Sequence, residues 1–515
     1  MAEPESPNQT RRGIGYWMER VLAECARARG NFDADAVHDL RVAIRRCRSM
    51  GEGFHSIDGN PLWNKMRKAG KAVFSALGDL RDTQVLLEWI ERLKEGCPPV
   101  AERLRAHCLQ REAALKITAA QAVDRFDTRR WQQWAGALEA RVRRLGEPDD
   151  VFQVLALENW ERARALHSTA MRNRSKAALH ELRIGIKKFR YLVENFLPEH
   201  HALWGDDLKR LQDLLGEVHD LDVLWDTACQ IHALVSPEER RRWYDVIARE
   251  RTQRVAEYRG KMGGRHSLWQ EWRKGLPMGG PLRKAVLKRF AIWAATLDPD
   301  PVHTRTVARF SLKLYDATGG LSLPAPRDAG APSPRDLLQV AAIAHEVGRS
   351  HGVKDHQKSG RRLIEKLEVP PGWSANDLQI AALVARYHRG ALPRRQRSYV
   401  ALGVKERRIV DALAGILRLA NSLDSPHHSG IRPISVAQHD GAVEILAEGY
   451  VPRSKQAERI AAARHLFENV YGMPVVVREA VSRHSPQRTH GVHGKPGQAP
   501  GQAQRTQRKN IKPVG

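Results

Sequence analysis

The sequence predicts a mainly α-helical protein in two parts, and three observations carry that prediction. Over 11–275, apolar residues recur at three- and four-residue spacing among many Arg, Glu and Ala, as in Val37 to Phe54, Pro61 to Leu77 and Leu179 to Phe196, with no alternating β-branched run between them. The Gly/Pro-dense break Gly275-Leu276-Pro277-Met278-Gly279-Gly280-Pro281 then separates this block from a second helical block at about 283–428, itself interrupted by the Gly/Pro-rich stretch Thr318 to Pro334. After Pro433 the pattern changes, and Gly441–Gly449 and Met473–Glu479 read as strands around a helix at 454–470. From Ser482 the chain is Gln, Gly, Pro, Arg and Lys with almost no apolar residue, the composition of a disordered basic tail. The expected units are therefore 11–275, in halves of about 11–140 and 150–275, then 283–480 and the tail 482–515.

The 515 residues are 42% hydrophobic, enough for more than one buried core, and 85 Lys+Arg stand against 59 Asp+Glu for a net charge of +26. Such a charge makes a polyanion the leading class of partner, with nucleic acid, anionic membrane and polyphosphate all open. The tail's seven cations, from Arg483 to Lys512, are a minority of that excess, so the basicity belongs to the folded part. No run of about 18 apolar residues suggests a membrane span. Met1 to Thr10 is polar and carries Glu3 and Glu5, unlike a secretory signal. The five cysteines, Cys25, Cys47, Cys97, Cys108 and Cys229, are scattered without a C-x-x-C, which argues against a disulfide framework or a thiolate zinc site and suggests reduced thiols in the cytoplasm.

An internal repeat organises the first half. Residues 38–48 read H-D-L-R-V-A-I-R-R-C-R, and 180–190 read H-E-L-R-I-G-I-K-K-F-R. A second pair follows: L-G-D-L-R-D-T-Q-V-L at 77–86 and L-G-E-V-H-D-L-D-V-L at 215–224. Between the members of each pair lie Trp63 and Trp204, and Lys71 and Lys209 each precede the motif's Gly by seven residues. The first half is thus a duplication. On a helix, His38, Arg41, Arg45 and Arg48 share one stripe, with Leu40, Ile44 and Cys47 on an adjoining apolar one; His180, Arg183, Lys187 and Arg190 stand likewise against Leu182, Ile186 and Phe189. A solvated face is the ordinary meaning of such a row. Here acids are nearly missing from the stripe, and like charges at this spacing repel unless an anion lies between them. Metal ligation by His38 or His180 is disfavoured, because no carboxylate or second His shares the stripe; capping or packing near the helix start is the plainer role.

These H-x-x-R-[VI]-x-x-[RK]-[RK]-x-R helices and L-G-x-x-x-D-x-x-V elements resemble the CHAD family, the conserved histidine α-helical domain, over roughly 11–275. The resemblance implies two pseudo-symmetric four-helix units around a basic cavity that binds inorganic polyphosphate. By position, the implied ligand contacts are His38, Arg41, Arg45, Arg46, Arg48, Lys71 and Arg81 in the first half. In the second they are His180, Arg183, Lys187, Lys188, Arg190 and Lys209. His219 occupies the place of Arg81 and implies a weaker, pH-dependent contact there. The guanidinium fork suits bidentate bridging of phosphate oxygens, while Lys supplies point charge.

The second half offers a possible metal site. His303, the His345-Glu346 pair in A-A-I-A-H-E-V-G, His356, His388 in L-V-A-R-Y-H-R-G and Asp424 closing L-R-L-A-N-S-L-D lie at helix ends, where they can converge on a divalent ion that activates water for phosphate hydrolysis. The words H-E-V-G at 345–348, H-x-K-S at 356–359, V-A-R-Y-H-R-G at 384–390 and L-R-L-A-N-S-L-D resemble an HD-type helical domain, specifically the C-terminal domain of the Ppx/GppA exopolyphosphatase and guanosine pentaphosphate phosphatase family. A metal-active HD site implies His followed by Asp; Glu346 stands there instead, and its extra methylene moves the carboxylate. That family's catalytic members carry an actin-like module before this domain, whereas 11–275 resembles CHAD and has no Gly-rich phosphate loop.

The function expected is a polyphosphate-binding protein, cytoplasmic and associated with polyphosphate granules, whose HD-like domain adds a second polyanion surface around Arg349, Lys354, Lys358, Arg361, Arg386 and Arg389. The alternative is a phosphohydrolase using Mg, Mn or Fe at the HD-like site on polyphosphate or a phosphorylated nucleotide. Nucleic-acid binding has no helix-turn-helix, zinc-finger or RNA-recognition signature behind it, so only weak nonspecific association is expected.

Overall fold

The computed structural model describes residues 13–480, apart from positions 31, 147, 174, 319–322, 327–329, 391–395 and 425–430. The readings of Met1 to Thr10 and of the basic tail 482–515 fall outside the described residues. The first repeat forms α1 (Ile14–Gly30), α2 (Ala34–His55), α3 (Pro61–Ala69), α4 (Lys71–Leu93), α5 (Pro98–Asp124) and α6 (Thr128–Leu145). The second forms α7 (Asp149–Asn173), α8 (Lys176–Phe196), α9 (Pro198–Gln230), α10 (Pro237–Met262) and α11 (Leu268–Gly275). Helix α9 runs unbroken where its counterpart is divided at Gly70, which seats the α3–α4 joint against Ile44 and Trp131. The motif helices start alike: the Asp33 side chain accepts from the Ala36 N–H and that of Ser175 from the Ala178 N–H, which places His38 and His180 at equal distance from their caps.

Two hydrophobic clusters hold the repeats together, and neither belongs to one repeat alone. The larger packs α1–α3 and α6–α8 around Phe54, Phe152 and Phe196, with Phe152 and Phe196 stacked at 3.8 Å. Gly53 admits the Phe196 ring, which would lie 2.5 Å from any Cβ there. The smaller is a four-helix cluster at the far ends of α4, α5, α9 and α10, built from residues such as Trp89, Leu104, Leu224 and Trp243. Arg103 ties it across the duplication, donating to the Ala233 carbonyl at 2.8 Å and pairing with Glu239 at 2.6 Å. Along α4 the larger cluster ends at Leu80 and the smaller begins at Leu86; along α9 the corresponding residues are Val218 and Leu221. The intervening Arg81-Asp82-Thr83-Gln84 and His219-Asp220 form a polar layer between two cores.

The second domain comprises α12 (Gly279–Leu297), α13 (Pro301–Ala317), α14 (Pro334–Ala344), α15 (His356–Glu365), α16 (Ala375–Arg386), α17 (Arg397–Val400), α18 (Val404–Leu423), β1 (Arg432–His439), β2 (Ala442–Glu448), α19 (Lys455–Tyr471) and β3 (Val475–Glu479). Capping boxes at Ser333/Asp336 and Ser374/Asp377 start α14 and α16. The sheet order is β1-β2-β3, with β2 and β3 parallel across the α19 crossover. Strand β1, absent from the sequence reading, pairs antiparallel with β2 through the Asp440-Gly441 turn, whose φ values of 50° and 74° suit a tight hairpin. Gly415 lets α19 press onto α18, since a Cβ there would sit 3.1 Å from the Phe467 Cα. Among the described residues no helix is long and apolar enough to cross a membrane.

Helix α12 joins the two domains by packing on α7. There Arg289 pairs at 2.6 Å with Glu158, whose side chain is 10% exposed. Lys288 reaches Asp150 at 3.5 Å, and Arg162 pairs with Glu368. Replacing Arg289 by Ala leaves a buried carboxylate without its cation. The expected cost is roughly 3 kcal/mol, visible in calorimetry as the loss of joint unfolding of the two domains; an unchanged transition would show that this pair does not couple them.

Candidate functional site

In the polar layer, α2 and α8 turn their basic stripes toward one another. The Tyr191 ring lies 5.1 Å from the Arg45 Cζ, 6.0 Å from the Lys187 Nζ and 5.9 Å from the Arg190 Cζ, while Arg41 and Arg48 each lie 5.2 Å from the Phe74 ring. Burial pushes the Lys187 ammonium down to about 8, and the charges of Arg183, Arg45 and Arg41 push the same way. The two rows therefore form one positive channel. Its buried Arg41 Nη1, Arg45 Nε, Arg183 Nε and Arg190 Nε have no hydrogen-bond partner. Donors in that state are costly to leave unmade, while the rest of each of these side chains stays partly exposed along the row.

The repeated L-G-x-x-x-D motif supplies the other wall. A Cβ on Gly78 would lie 2.9 Å from the Arg41 Nη1, so this glycine makes room for the guanidinium. Asp82 and Asp220, at matching positions, provide countercharge. Burial pushes Asp220 up to about 7, against the opposing pull of Arg183 and with the repulsion of Asp82 and Glu217. Neither carboxylate, nor Phe74 or Tyr191, was singled out from the sequence, although Asp82 and Asp220 coincide in the aligned repeats.

The other residues named from the sequence sit around this centre in distinct ways. Arg46 pairs with Glu194 and donates to the Asn195 Oδ1 at 2.9 Å, so it fastens α2 to α8. Arg48 donates to the Arg67 carbonyl at 2.8 Å, and Arg81 pairs with Glu88 at 3.1 Å. His38 is exposed at the rim, near the charges of Arg81, Arg45 and Arg41. His180 and His219 bring their rings within 4.9 Å, and burial lowers the His219 pKa. Lys71 and Lys209 lie on the surface. Lys188 faces the cleft between the domains, beside Glu52, Arg289 and Glu368.

The second domain gathers all six of its predicted residues. Three Nδ1 atoms are tied to backbone carbonyls: His345 to Ala342 at 2.6 Å, His356 to Val353 at 3.0 Å and His388 to Ala385 at 2.7 Å. The Nδ1 of His303 meets the Asp424 Oδ2 at 2.7 Å. For His345, His356 and His388 each such bond uses the Nδ1 proton and leaves Nε2 as the inward lone pair, whereas the His303 Nε2 faces the Asn421 Oδ1 at 3.1 Å. His345 Nε2 stands 3.4 Å from His303 Nε2, and His356 Nε2 stands 3.4 Å from His388 Nε2. Burial pushes His345 down to about 4 and His388 well below the usual imidazole range, so both rings are neutral ligands near pH 7.

Glu346 lies between the two histidine pairs. Its Oε1 is 3.4 Å from His356, 3.7 Å from His388 and 3.9 Å from His345, and both its oxygens are buried without a hydrogen-bond partner. His303, His345 and Glu346 form one group of potential ligand atoms within 4.8 Å, and Glu346, His356 and His388 form another. This borderline nitrogen–oxygen donor set, with its buried carboxylate at the centre, fits divalent transition ions. The longer Glu side chain in place of Asp therefore still delivers its carboxylate to the centre. Asp424 acts differently from a direct ligand: it belongs to neither group and holds His303. Asn421, not singled out from the sequence, has its Oδ1 3.1 Å from the His303 Nε2. Gly348 is required at the join, because a Cβ there would fall 1.9 Å from the His356 carbonyl oxygen. At the mouth, Arg349 and Arg389 approach the two Glu346 oxygens at 3.4 and 3.9 Å, with 27% and 45% of their side chains exposed against 1% for Glu346.

Comparison with known proteins matches two separate stretches of the chain. A family model for the CHAD domain matches residues 17–229, and one for Ppx/GppA phosphatase, domain III, matches 292–444. No curated protein matches the chain. Among solved structures it is similar to the crystal structure of the CHAD domain from the plant Ricinus communis, at 22% identity over 51% of this chain and 88% of that one, with a TM-score of 0.36. The chain thus carries a CHAD domain followed by a Ppx/GppA phosphatase domain III.

Proposed function

We propose that this protein binds inorganic polyphosphate in the channel between α2 and α8. The observation that carries the reading is the meeting of cations from both helices around one ring, with Arg45 of α2 and Lys187 and Arg190 of α8 at 5.1, 6.0 and 5.9 Å from Tyr191. A flexible phosphate polymer supplies closely spaced acceptor oxygens and cancels the mutual repulsion of the two rows. The basic residues at the mouth of the second domain would take another stretch of the same polymer, and the tether would favour long chains over short ones. Accumulation on cytoplasmic polyphosphate granules is the location this reading implies. Nucleic acid would compete weakly, through charge alone.

Replacing Arg41, Arg45, Arg183 and Lys187 together by Ala should weaken binding of long-chain polyphosphate by about a hundredfold or more. The slope of log affinity against log salt should fall by about 3, with helicity retained in circular dichroism. Unchanged affinity in that variant, with loss on truncation at residue 481, would move the site to the tail.

The channel also sets a direction with pH. Between pH 9 and pH 6, Lys187 gains its proton near 8 and Asp220 loses its negative charge near 7. Both changes add positive charge, so affinity should rise by about tenfold as pH falls. Asp220→Asn should remove the lower part of that rise; a flat profile in the unaltered protein would contradict it.

A second reading, favoured by the buried Glu346 shared between two groups of potential ligand atoms, makes the second domain a metal-dependent phosphohydrolase. His303, His345 and Glu346 would hold one divalent ion and Glu346, His356 and His388 a second, and such ions when bound polarise a phosphoryl oxygen and lower the pKa of water. Arg349 and Arg389 would grip the phosphate oxygens at the mouth, and Asp424 would keep His303 oriented. Added Mn²⁺ should release phosphate from polyphosphate, and His345→Ala should abolish the release while channel binding persists. A protein that binds polyphosphate and leaves it intact with Mg²⁺, Mn²⁺ or Fe²⁺ would reduce the second domain to a binding surface.

A further inference from the structure

One helix touches both halves of the histidine centre. Arg418, Asn421 and Asp424 follow one another at three-residue spacing along and just beyond α18, so they share a face. Asn421 and Asp424 bracket the His303 ring, as described. Arg418 reaches the opposite pair: its Nε donates at 2.6 Å to the carbonyl of Tyr387, the residue between the end of α16 and His388. That carbonyl lies at a helix C-terminus, where the last acceptors have no intrahelical partner. The Arg418 Nη2 is buried without a hydrogen-bond partner. Desolvation and the charge of Arg386 both disfavour the cation there. An arginine held at such cost for a single carbonyl is positioned for what that carbonyl carries, which is the backbone of His388.

We propose that Arg418 is a positioning residue for His388, so that α18 sets both ligand groups of the centre: His303 through Asn421 and Asp424, and His388 through Arg418. This rests on the reading of the centre as a metal site. Arg418 touches neither the imidazole nor Glu346; it fixes the turn from which His388 Nε2 points at His356 Nε2. Loosening that turn should degrade the Glu346–His356–His388 group and spare the His303–His345–Glu346 group.

The test is a Co²⁺ titration of the metal-stripped full chain, followed by bound-metal stoichiometry and by the visible absorption of the ion. The unaltered protein should take up two ions. Arg418→Met should bind one with unchanged affinity and the other about 10–100-fold more weakly, losing one component of the visible spectrum, while Asp424→Asn should weaken the opposite ion. Where Arg418→Met does not fold, Arg418→Lys decides, since it keeps the charge but displaces the donor; a smaller weakening of the same ion is expected. Two ions bound by the folded Arg418 variant with unaltered affinities and spectrum would overturn the proposal, as would equal weakening of both. An unaltered protein that takes up no Co²⁺ would instead overturn the metal reading, and this proposal with it.

Discussion

The constraint on which the first domain depends is the confrontation of two desolvated rows of cations on α2 and α8. Like charges brought together in a partly buried layer raise the free energy of the folded chain, and the depressed Lys187 ammonium records that cost. The surrounding architecture offsets it. A hydrophobic cluster stands on either side of the layer, so the helices are held from both ends while their middle carries charge. Arg46 and Glu194 fasten the two rows at their edge, and Asp82 and Asp220 place limited negative charge against them. Duplication makes this arrangement easy to build, because one helix design used twice and packed against itself opposes a cationic stripe to its own copy. Full neutralisation by protein acids would have closed the channel to an anion.

The second domain handles buried polarity in the opposite way. Its centre gathers four imidazoles and one carboxylate, with His345, His356 and His388 locked through Nδ1 to backbone carbonyls so that their lone pairs face inward. Such lone pairs repel one another as the cations of the channel do, and each cavity is complementary to a ligand of the opposite sign. The channel asks for an anion and the centre for a cation.

Most of this was legible in the sequence where a rule is local or periodic. The helix pattern, the duplication and the cationic stripes follow from spacing, and the helix-end positions of His303, His345, His356 and His388 foreshadowed their convergence. What escaped notice depends on partners far apart in the chain. Nothing in its own neighbourhood distinguishes Arg46, engaged by Glu194, from Arg45, which faces the channel; the two differ by 100° of helix and by what α8 presents. Asp424 looked like a ligand because its type and helix-end position suit one, yet its hydrogen bond places it behind His303. The smaller cluster escaped because it takes one helical hairpin from each repeat. Strand β1 was legible after all: the Asp440-Gly441 pair before β2 is a hairpin signal, masked by Pro433 at the strand's start.

The joint between the domains bears on how these opposite sites can work together. Helix α12 is held to α7 by Arg289 and Glu158 and also packs against the second domain's core, so the domains share a continuous hydrophobic cluster. A flexible linker would let each site sample ligand separately, with cooperation set only by effective concentration. A packed joint fixes the vector from channel to centre, so under the polyphosphate reading proposed above a polymer long enough to span it would gain both contacts, whereas a shorter one would gain only one. Chain-length discrimination would then arise from the geometry of the joint and require no contact that measures the end of the polymer.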